Sequence, residues 1–517
     1  MLTKDSAVPV GLPKKTGSLC PECLAVIEAT IREENGKVVI EKTCPKHGSF
    51  KDVVWSDVNT YLRVEKWAKD GVGVVNPAIP KAKQCPFDCG LCDLHLSHTA
   101  LANVDLTNRC NLKCPICFAN ANAAGYVYEP EFETLVDMLK MLRAQKPVPC
   151  PAVQFSGGEP TIYPRFFDII KVARDLGFAQ VQAATNGIEF AKSMDFCRKA
   201  SEAGLNTLYL QFDGLRPEIY ERARGKNLMD VKQKVIDNYR AVPNHPSVVL
   251  VPTVVKGVND DQVWPILEYA IKNNDVIRGV NYQPVAFTGR ITTEELEKGR
   301  YTLTDLIHDI ERQSEGKVKA TDWYPVPTVA SVSELVSAIA GRDMVTFTNH
   351  AHCGLATYLF VKDENNIIPL TRFIEVDDLF AELYQLAKKS SGKKVQTFTK
   401  LKAFNLIKKH VKKDEVPDGM NTMEFLNVLK RVFSEDTKKG LSKFSWNMMF
   451  VGAMHFMDAY NYDIERVKRC SIHYTTPDMR LIPFCAYNSG PTYRTNVEKE
   501  FSVPLSEWRK KHGEQYT

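Results

Sequence analysis

Two runs of this chain carry the same cysteine spacing. Cys85, Cys89 and Cys92 form one C-x3-C-x2-C triplet, and Cys110, Cys114 and Cys117 form another eighteen residues further on. Three soft thiolates at this spacing suit one iron–sulfur cube. A cube has four irons, so three cysteines leave one iron open to a small chelating molecule. Nearer the N-terminus, Cys20 and Cys23 in CPEC and Cys44 and His47 in CPKHG make two knuckles. That pattern builds a tetrahedral mononuclear site, which either zinc or iron would fill.

Nine of the 14 cysteines fall before residue 120 in these arrangements. The N-terminal stretch MLTKDSAVPVGLPKKTG has no apolar signal core, which predicts a cytoplasmic protein whose thiols bind metal rather than pair as disulfides. No apolar run approaches the roughly 20 residues that a membrane helix needs. A formal charge of +5 on 517 residues gives no reason to expect nucleic acid as a partner. Of the remaining cysteines, Cys150 and Cys197 read as structural. Cys353, Cys470 and Cys485 are scattered late and read as a third cluster or as completing the second, with His350, His352 and His473 as nearby candidate ligands. The first triplet reads as an auxiliary cluster, with zinc as its alternative metal.

These residues need elements to position them. From residue 101 to 285, strand-like runs such as LANVDL, AVQFS, AQVQAAT, NTLYLQF, SVVLVPTVV and GVNYQPVA alternate with amphipathic helical stretches. The alternation predicts an α/β fold, a partial barrel of six βα units, too short for the full eight. The predicted organisation is a metal module and linker at 1–80, an auxiliary-cluster loop at 81–100, the barrel at 101–290 and a mainly helical C-terminal domain at 291–517. Helices are expected in TTEELEKGRYTLTDLIHDIERQ, SVSELVSAIAG, VDDLFAELYQLAKK, TFTKLKAFNLIKKHVKK and TMEFLNVLKRVF.

Cys110, Cys114 and Cys117 follow the first strand directly, at the end of a barrel where active sites are built. Strand AVQFS then runs into Gly157-Gly158-Glu159-Pro160, where two glycines permit close approach to the backbone. The triplet and SGGEP together resemble the radical S-adenosylmethionine (SAM) superfamily. The resemblance implies that Cys110, Cys114 and Cys117 hold a [4Fe–4S] cluster that binds SAM and yields a 5′-deoxyadenosyl radical. It further implies a SAM pocket from Gly157, Gly158, Glu159, Thr185, Asn186, Gln211, Asp213, Thr253, Asn259 and Gln283. Arg224 would be a cation for the SAM carboxylate, and Ile116 or Phe118 would pack on adenine. One or two further [4Fe–4S] clusters would be auxiliary, and an external one-electron reductant is needed.

The N-terminal knuckles, CPFDCGLC before TNRCNLKCPICF, QFSGGEPT, LQFDG, and the late HCG and CSIHY…LIPFCAYN segments resemble the archaeal tetraether lipid synthases, whose N-terminal module is rubredoxin-like. That resemblance implies joining of terminal sp³ carbons of isoprenoid diether lipids, with a late cluster holding the first alkyl radical. On this reading Leu401, Phe404, Ile407 and Val411 form the apolar face of a basic helix that could lie on a membrane surface. The Met-rich run 446–462 could line an acyl channel, although such stripes are commonly core. Two alternatives stand beside it: a radical SAM methyltransferase acting on a pterin or other small molecule, and an iron–sulfur electron carrier.

Overall fold

The computed structural model describes residues 6–291, 299–390, 396–412, 415–416, 447–490 and 493–513. The chain opens with four antiparallel strands in sequence order: β1 (Lys14–Leu19), β2 (Val26–Glu34), β3 (Lys37–Cys44) and β4 (Gly48–Trp55). Asn35-Gly36 makes the two-residue turn between β2 and β3, with φ of 52° and 77°, the left-handed pair a tight hairpin requires. Ala29, Ile31, Val38 and Ile40 bury one face of this small sheet.

The six predicted barrel strands are present: β5 (Leu101–Thr107), β6 (Ala152–Gly157), β7 (Gln180–Thr185), β8 (Thr207–Gln211), β9 (Ser247–Val251) and β10 (Ile277–Pro284). They lie side by side in chain order and run parallel. Helices α1 (Phe132–Arg143), α2 (Phe166–Asp175), α3 (Met194–Ala203), α4 (Pro217–Arg224), α5 (Met229–Arg240) and α6 (Val263–Lys272) alternate with them. Strand alternation divides the residues between two faces. Val104, Phe155, Val181, Leu208, Leu250 and Val280 are fully buried in the main apolar core. The residues between them include Asn103, Gln154, Gln182, Tyr209 and Asn281, so the opposite face, the barrel interior, is lined with amides and a phenol.

Beyond residue 290 the chain supplies the expected helices: α7 (Leu303–Gln313), α8 (Ala330–Ala340), α9 (Val376–Ser390) and α10 (Gln396–Lys409). It also extends the barrel sheet at both edges. β11 (Gly354–Val361) and β12 (Asn447–Met454) join beside β10, whereas β13 (Ile472–Thr475) pairs with β5 and carries β14 (Leu481–Pro483). The helix predicted at 422–433 lies outside the described residues.

The structure corrects the membrane-facing reading of α10. Ile407 and Val411 are buried against α8 and α9, with Phe404 packed on the same core, so its apolar face is already covered. Leu401 alone of the four stays largely exposed. Among the described residues no helix is long and apolar enough to cross a membrane. The acyl-channel reading of 446–462 fails as well. Met449 belongs to the main core and Met457 to another buried cluster, and among the described residues no methionine lines the barrel cavity.

Candidate functional site

One cavity opens at the C-terminal ends of the barrel strands. Cys110, Cys114 and Cys117 line it together with Gly157, Gly158, Glu159, Thr185, Asn186, Gln211, Arg224, Thr253 and Gln283. Nine of the eleven residues expected around SAM thus line this cavity. Asp213 and Asn259 stand behind it. Asp213 is fully buried, accepting from Arg224 Nε at 2.8 Å and Nη2 at 2.7 Å. Asn259 Nδ2 donates to the carbonyls of Asp213 and Thr253, fixing the turn after β9.

Many of the polar groups predicted to hold SAM are engaged in holding the cysteine loop. Glu159 accepts from the Thr161 amide and hydroxyl, the Thr185 hydroxyl at 2.7 Å and the Asn186 amide at 2.8 Å; burial nonetheless pushes its carboxyl up. Asn186 Nδ2 donates to Asn111 Oδ1 at 2.6 Å. Arg224 was expected to meet the SAM carboxylate. Instead its guanidinium pairs with Asp213, donates from Nη1 to the Ile116 carbonyl at 2.9 Å and reaches Thr253 Oγ1. Burial raises the Asp213 carboxyl, but Arg224 outweighs that and holds it below the usual range. Gly157 and Gly158 leave room for backbone, as expected, but the neighbour is the cysteine loop's own approach. A Cβ at either would stand 2.1 Å from the Thr107 carbonyl oxygen or 2.2 Å from that of Arg109.

Sequence reading missed several parts of this site. Asn122 accepts from the Cys110 amide at 3.0 Å and donates to the Cys110 and Leu112 carbonyls, so it staples the loop from downstream. Arg290 lines the cavity and donates from Nη1 to the Cys114 carbonyl at 2.9 Å. Gly289, at φ 71°, sits where a Cβ would meet the Cys117 carbonyl oxygen at 2.3 Å. Phe456 and Phe484, stacked at 3.9 Å, extend an aromatic wall with Phe118, which was expected from the sequence along with Ile116, and Ile116 also faces the cavity. Gln154 and Tyr209 line the deeper interior.

The N-terminal residues converge as predicted. The ligand atoms of Cys20, Cys23, Cys44 and His47 all lie within 4.8 Å of one another. Cys23 and Cys44 sulfurs are 3.9 Å apart, near the roughly 3.8 Å edge of a thiolate tetrahedron around one zinc. The Lys46 and His47 amides and the imidazole pull the Cys44 thiol down to about 6. Among the described residues, neither C-x3-C-x2-C triplet closes up this far. Thiols that each bind a different iron of a cube must stand further apart, so the donor sets separate one mononuclear site from cluster sites.

The first triplet and the late cysteines, far apart in sequence, meet in space. Cys89 belongs to a buried cluster with Phe484, whose ring also faces the cavity, and Cys85, Cys470 and Cys485 pack half-buried against that cluster. Arg466 Nε donates to Cys353 Sγ at 3.4 Å, and the Met457 amide donates to Cys485 Sγ at 3.4 Å. Among the described residues no carboxylate lies within ion-pair reach of buried Arg466; Cys353, Cys485 and Asp463 are the groups that favour its charge. The histidine candidates turn elsewhere. His352 stacks on Tyr61 at 3.7 Å, His350 Nδ1 takes the His352 amide, and His473 faces His95. Cys150 and Cys197 are buried and donate to backbone carbonyls, in keeping with structural roles.

Comparisons with known proteins bear on this geometry. A profile of the radical SAM superfamily matches residues 104–270, and one of the HMPTM N-terminal zinc ribbon domain matches residues 12–56. The chain is 47% identical over 504 residues to a Methanocaldococcus jannaschii protein, 7,8-dihydro-6-hydroxymethylpterin dimethyltransferase, covering 97% of this chain and 98% of that one. It is 25% identical over 253 residues to a probable GTP 3′,8-cyclase of Thermococcus kodakarensis, covering 48% of this chain and 78% of that one. Streptococcus suis SuiB bound to precursor peptide SuiA aligns over 43% of this chain and 46% of that one, at 18% identity and a TM-score of 0.33. These findings overturn the tetraether-synthase resemblance and, with it, the isoprenoid lipid substrate. The relative that matches along nearly its whole length bears a pterin methyltransferase's name. The cofactors are SAM and [4Fe–4S] clusters, with a separate metal in the ribbon. When bound, SAM and its cluster supply a radical able to take hydrogen from an unactivated C–H bond.

Proposed function

The chain belongs to the radical SAM family that includes 7,8-dihydro-6-hydroxymethylpterin dimethyltransferase, and on that premise we propose that it methylates a reduced pterin. The observation that carries this reading is identity of 47% along nearly the whole of both chains, zinc ribbon and late cysteines included. The cavity chemistry supports it. The cations lining it, Arg224 and Arg290, both engage the cysteine loop, so it offers little to a triphosphate such as GTP.

In this reading Cys110, Cys114 and Cys117 hold the SAM-binding cluster. Gly157, Gly158, Glu159, Thr185, Asn186, Gln211, Arg224, Thr253 and Gln283 frame SAM, with Asp213 and Asn259 as their supports. The aromatic wall excludes water from the reacting carbon. Cys85, Cys89 and Cys92, with Cys353, Cys470 and Cys485, ligate auxiliary clusters; the buried charge of Arg466 beside two thiols supports anionic sulfur there. Domain limits at 1–80, 81–100, 101–290 and 291–517 follow the ribbon, the first triplet, the barrel strands and the remainder.

The test is an anaerobic incubation with SAM carrying a deuterated S-methyl group, a chemical reductant and 7,8-dihydro-6-hydroxymethylpterin. The expected product is the pterin heavier by one or two methyl substitutions, with 5′-deoxyadenosine formed alongside. Retention of deuterium reports whether SAM is also the methyl source. Deoxyadenosine formation with an unaltered pterin would refute the substrate assignment.

A further inference from the structure

The barrel interior holds polar residues that the radical chemistry does not use. Gln154 on β6 and Tyr209 on β8 both line the cavity, below the strand ends that carry the glycines and cysteines. Between them, β7 presents Ala184, whose methyl leaves the space above it open. Strands two places apart stand about 10 Å from each other, which leaves room for the two side chains to converge on one edge of a planar heterocycle.

A second, buried tier fixes how these two side chains point. Gln154 Nε2 donates to Asn103 Oδ1 at 3.0 Å, leaving its carbonyl oxygen and one N–H for a ligand. Asn281 Nδ2 donates to the Tyr209 hydroxyl and the Gln283 side chain also meets that oxygen; with both acting as donors, the phenol keeps its own proton to donate. Asn103 and Asn281 are almost fully buried. Gly452 on β12 makes room for Asn281, since a Cβ there would stand 2.8 Å from its Oδ1. Burial pushes the Tyr209 phenol up to about 12, keeping it a donor at neutral pH. Glu159 is the carboxylate among the described residues lining the cavity, and its oxygens are already engaged. The interior therefore presents neutral donors and acceptors rather than charge.

We infer that Gln154 and Tyr209 bind the amino–oxo edge of the pterin ring and set its specificity, oriented by Asn103 and Asn281; this rests on the substrate being a pterin. Such an edge carries donors and acceptors side by side in one plane. A carboxamide and a phenol matched to it reject a ring whose pattern is altered, because a buried polar group is then left unpaired.

The test uses full-length, cluster-loaded wild type and the variants Gln154→Met and Tyr209→Phe, which keep side-chain volume. Equilibrium binding of 7,8-dihydro-6-hydroxymethylpterin is measured beside that of the corresponding lumazine, which has oxygen in place of the 2-amino group, and steady-state kinetics follow. Wild type is expected to prefer the pterin. Each variant is expected to weaken pterin binding about tenfold, to narrow the pterin-over-lumazine preference and to raise KM more than it lowers kcat. Cluster absorbance matching wild type shows that the variants are folded and loaded. Wild type that binds pterin while both variants bind it and the lumazine unchanged would overturn the inference alone. Wild type that binds no pterin would overturn both it and the substrate assignment.

Discussion

Cys110, Cys114 and Cys117 sit on a loop held from several directions. Asn122 staples its start, Asn186 reaches its second residue, Arg290 and Arg224 hold the Cys114 and Ile116 carbonyls, and the glycines of SGGEP press against its approach. Cys85, Cys89 and Cys92 repeat the spacing on a loop that Asp88 and Asp93 tie to its own approach, accepting from the Lys83, Gln84 and Ala82 amides. One distant side chain anchors this loop to the rest of the fold. The Tyr493 hydroxyl donates to the Pro86 carbonyl at 2.8 Å and accepts from the Cys89 amide at 3.1 Å. Its rim is a buried aromatic cluster, whereas the second triplet faces an open cavity. Spacing alone specifies that three sulfurs can share a cube. What surrounds them decides whether a small molecule can reach the fourth iron.

The largest expected effect separates the two triplets by chemistry. Cys114→Ser should reduce 5′-deoxyadenosine formation to background. Cys89→Ser should lower iron per chain while SAM cleavage without pterin persists. Equal loss in both variants, measured by chromatography and iron assay, would break the division of labour. A second effect concerns scaffolding. Asp213→Asn leaves the Arg224 guanidinium buried without its counter-ion and should cost about 3–5 kcal/mol. That loss would be read as a lower Tm together with weaker SAM binding. Tyr493→Phe removes only a hydroxyl from the other loop and should cost about 1–2 kcal/mol. Its SAM binding should match wild type. Comparable losses from the two substitutions would show that the loops are equally braced.

Both triplets, the ribbon ligands and the six strands were legible in the sequence because each is a local pattern: a fixed cysteine spacing, or apolar residues at period two. The braces were not legible. Asn122, Arg290 and Tyr493 act on carbonyls and amides from 10 to 407 positions away, and nothing in their own neighbourhoods marks them. Cys353, Cys470 and Cys485 look scattered until β11, β12 and β13 join the edges of the barrel sheet. The substrate was misread for a related reason. Cysteine motifs report the radical machinery, which relatives acting on different molecules share. The substrate faces the barrel interior, where Gln154 in AVQFS and Tyr209 in NTLYLQF were the available signal. Each is polar at an alternate position in an otherwise apolar strand, which only makes sense if that face is wet.

The smallest predicted effect concerns charge behind the second triplet. Lys232 on α5 is fully buried, and its Nζ donates to the Asn186 carbonyl at 2.5 Å, just beneath the loop. Burial lowers its pKa to about 7, with Asp213 pulling the other way and Arg224 reinforcing burial. In the unfolded chain the same group titrates near about 10.4. Between those values the unfolded chain holds a proton that the folded one has released, so Lys232 makes wild type more stable as pH rises through that window. Below about pH 7 both states are protonated, and folding then bears the full cost of a buried ammonium. Lys232→Met removes this dependence along with one hydrogen bond. The Tm of wild type minus that of the variant should therefore increase between about pH 7 and about pH 9.5. A constant difference would mean that Asp213 and Glu159 keep Lys232 charged throughout. The scaffold of the radical loop would then be a buried ion network, which sharpens its contrast with the loop of the first triplet.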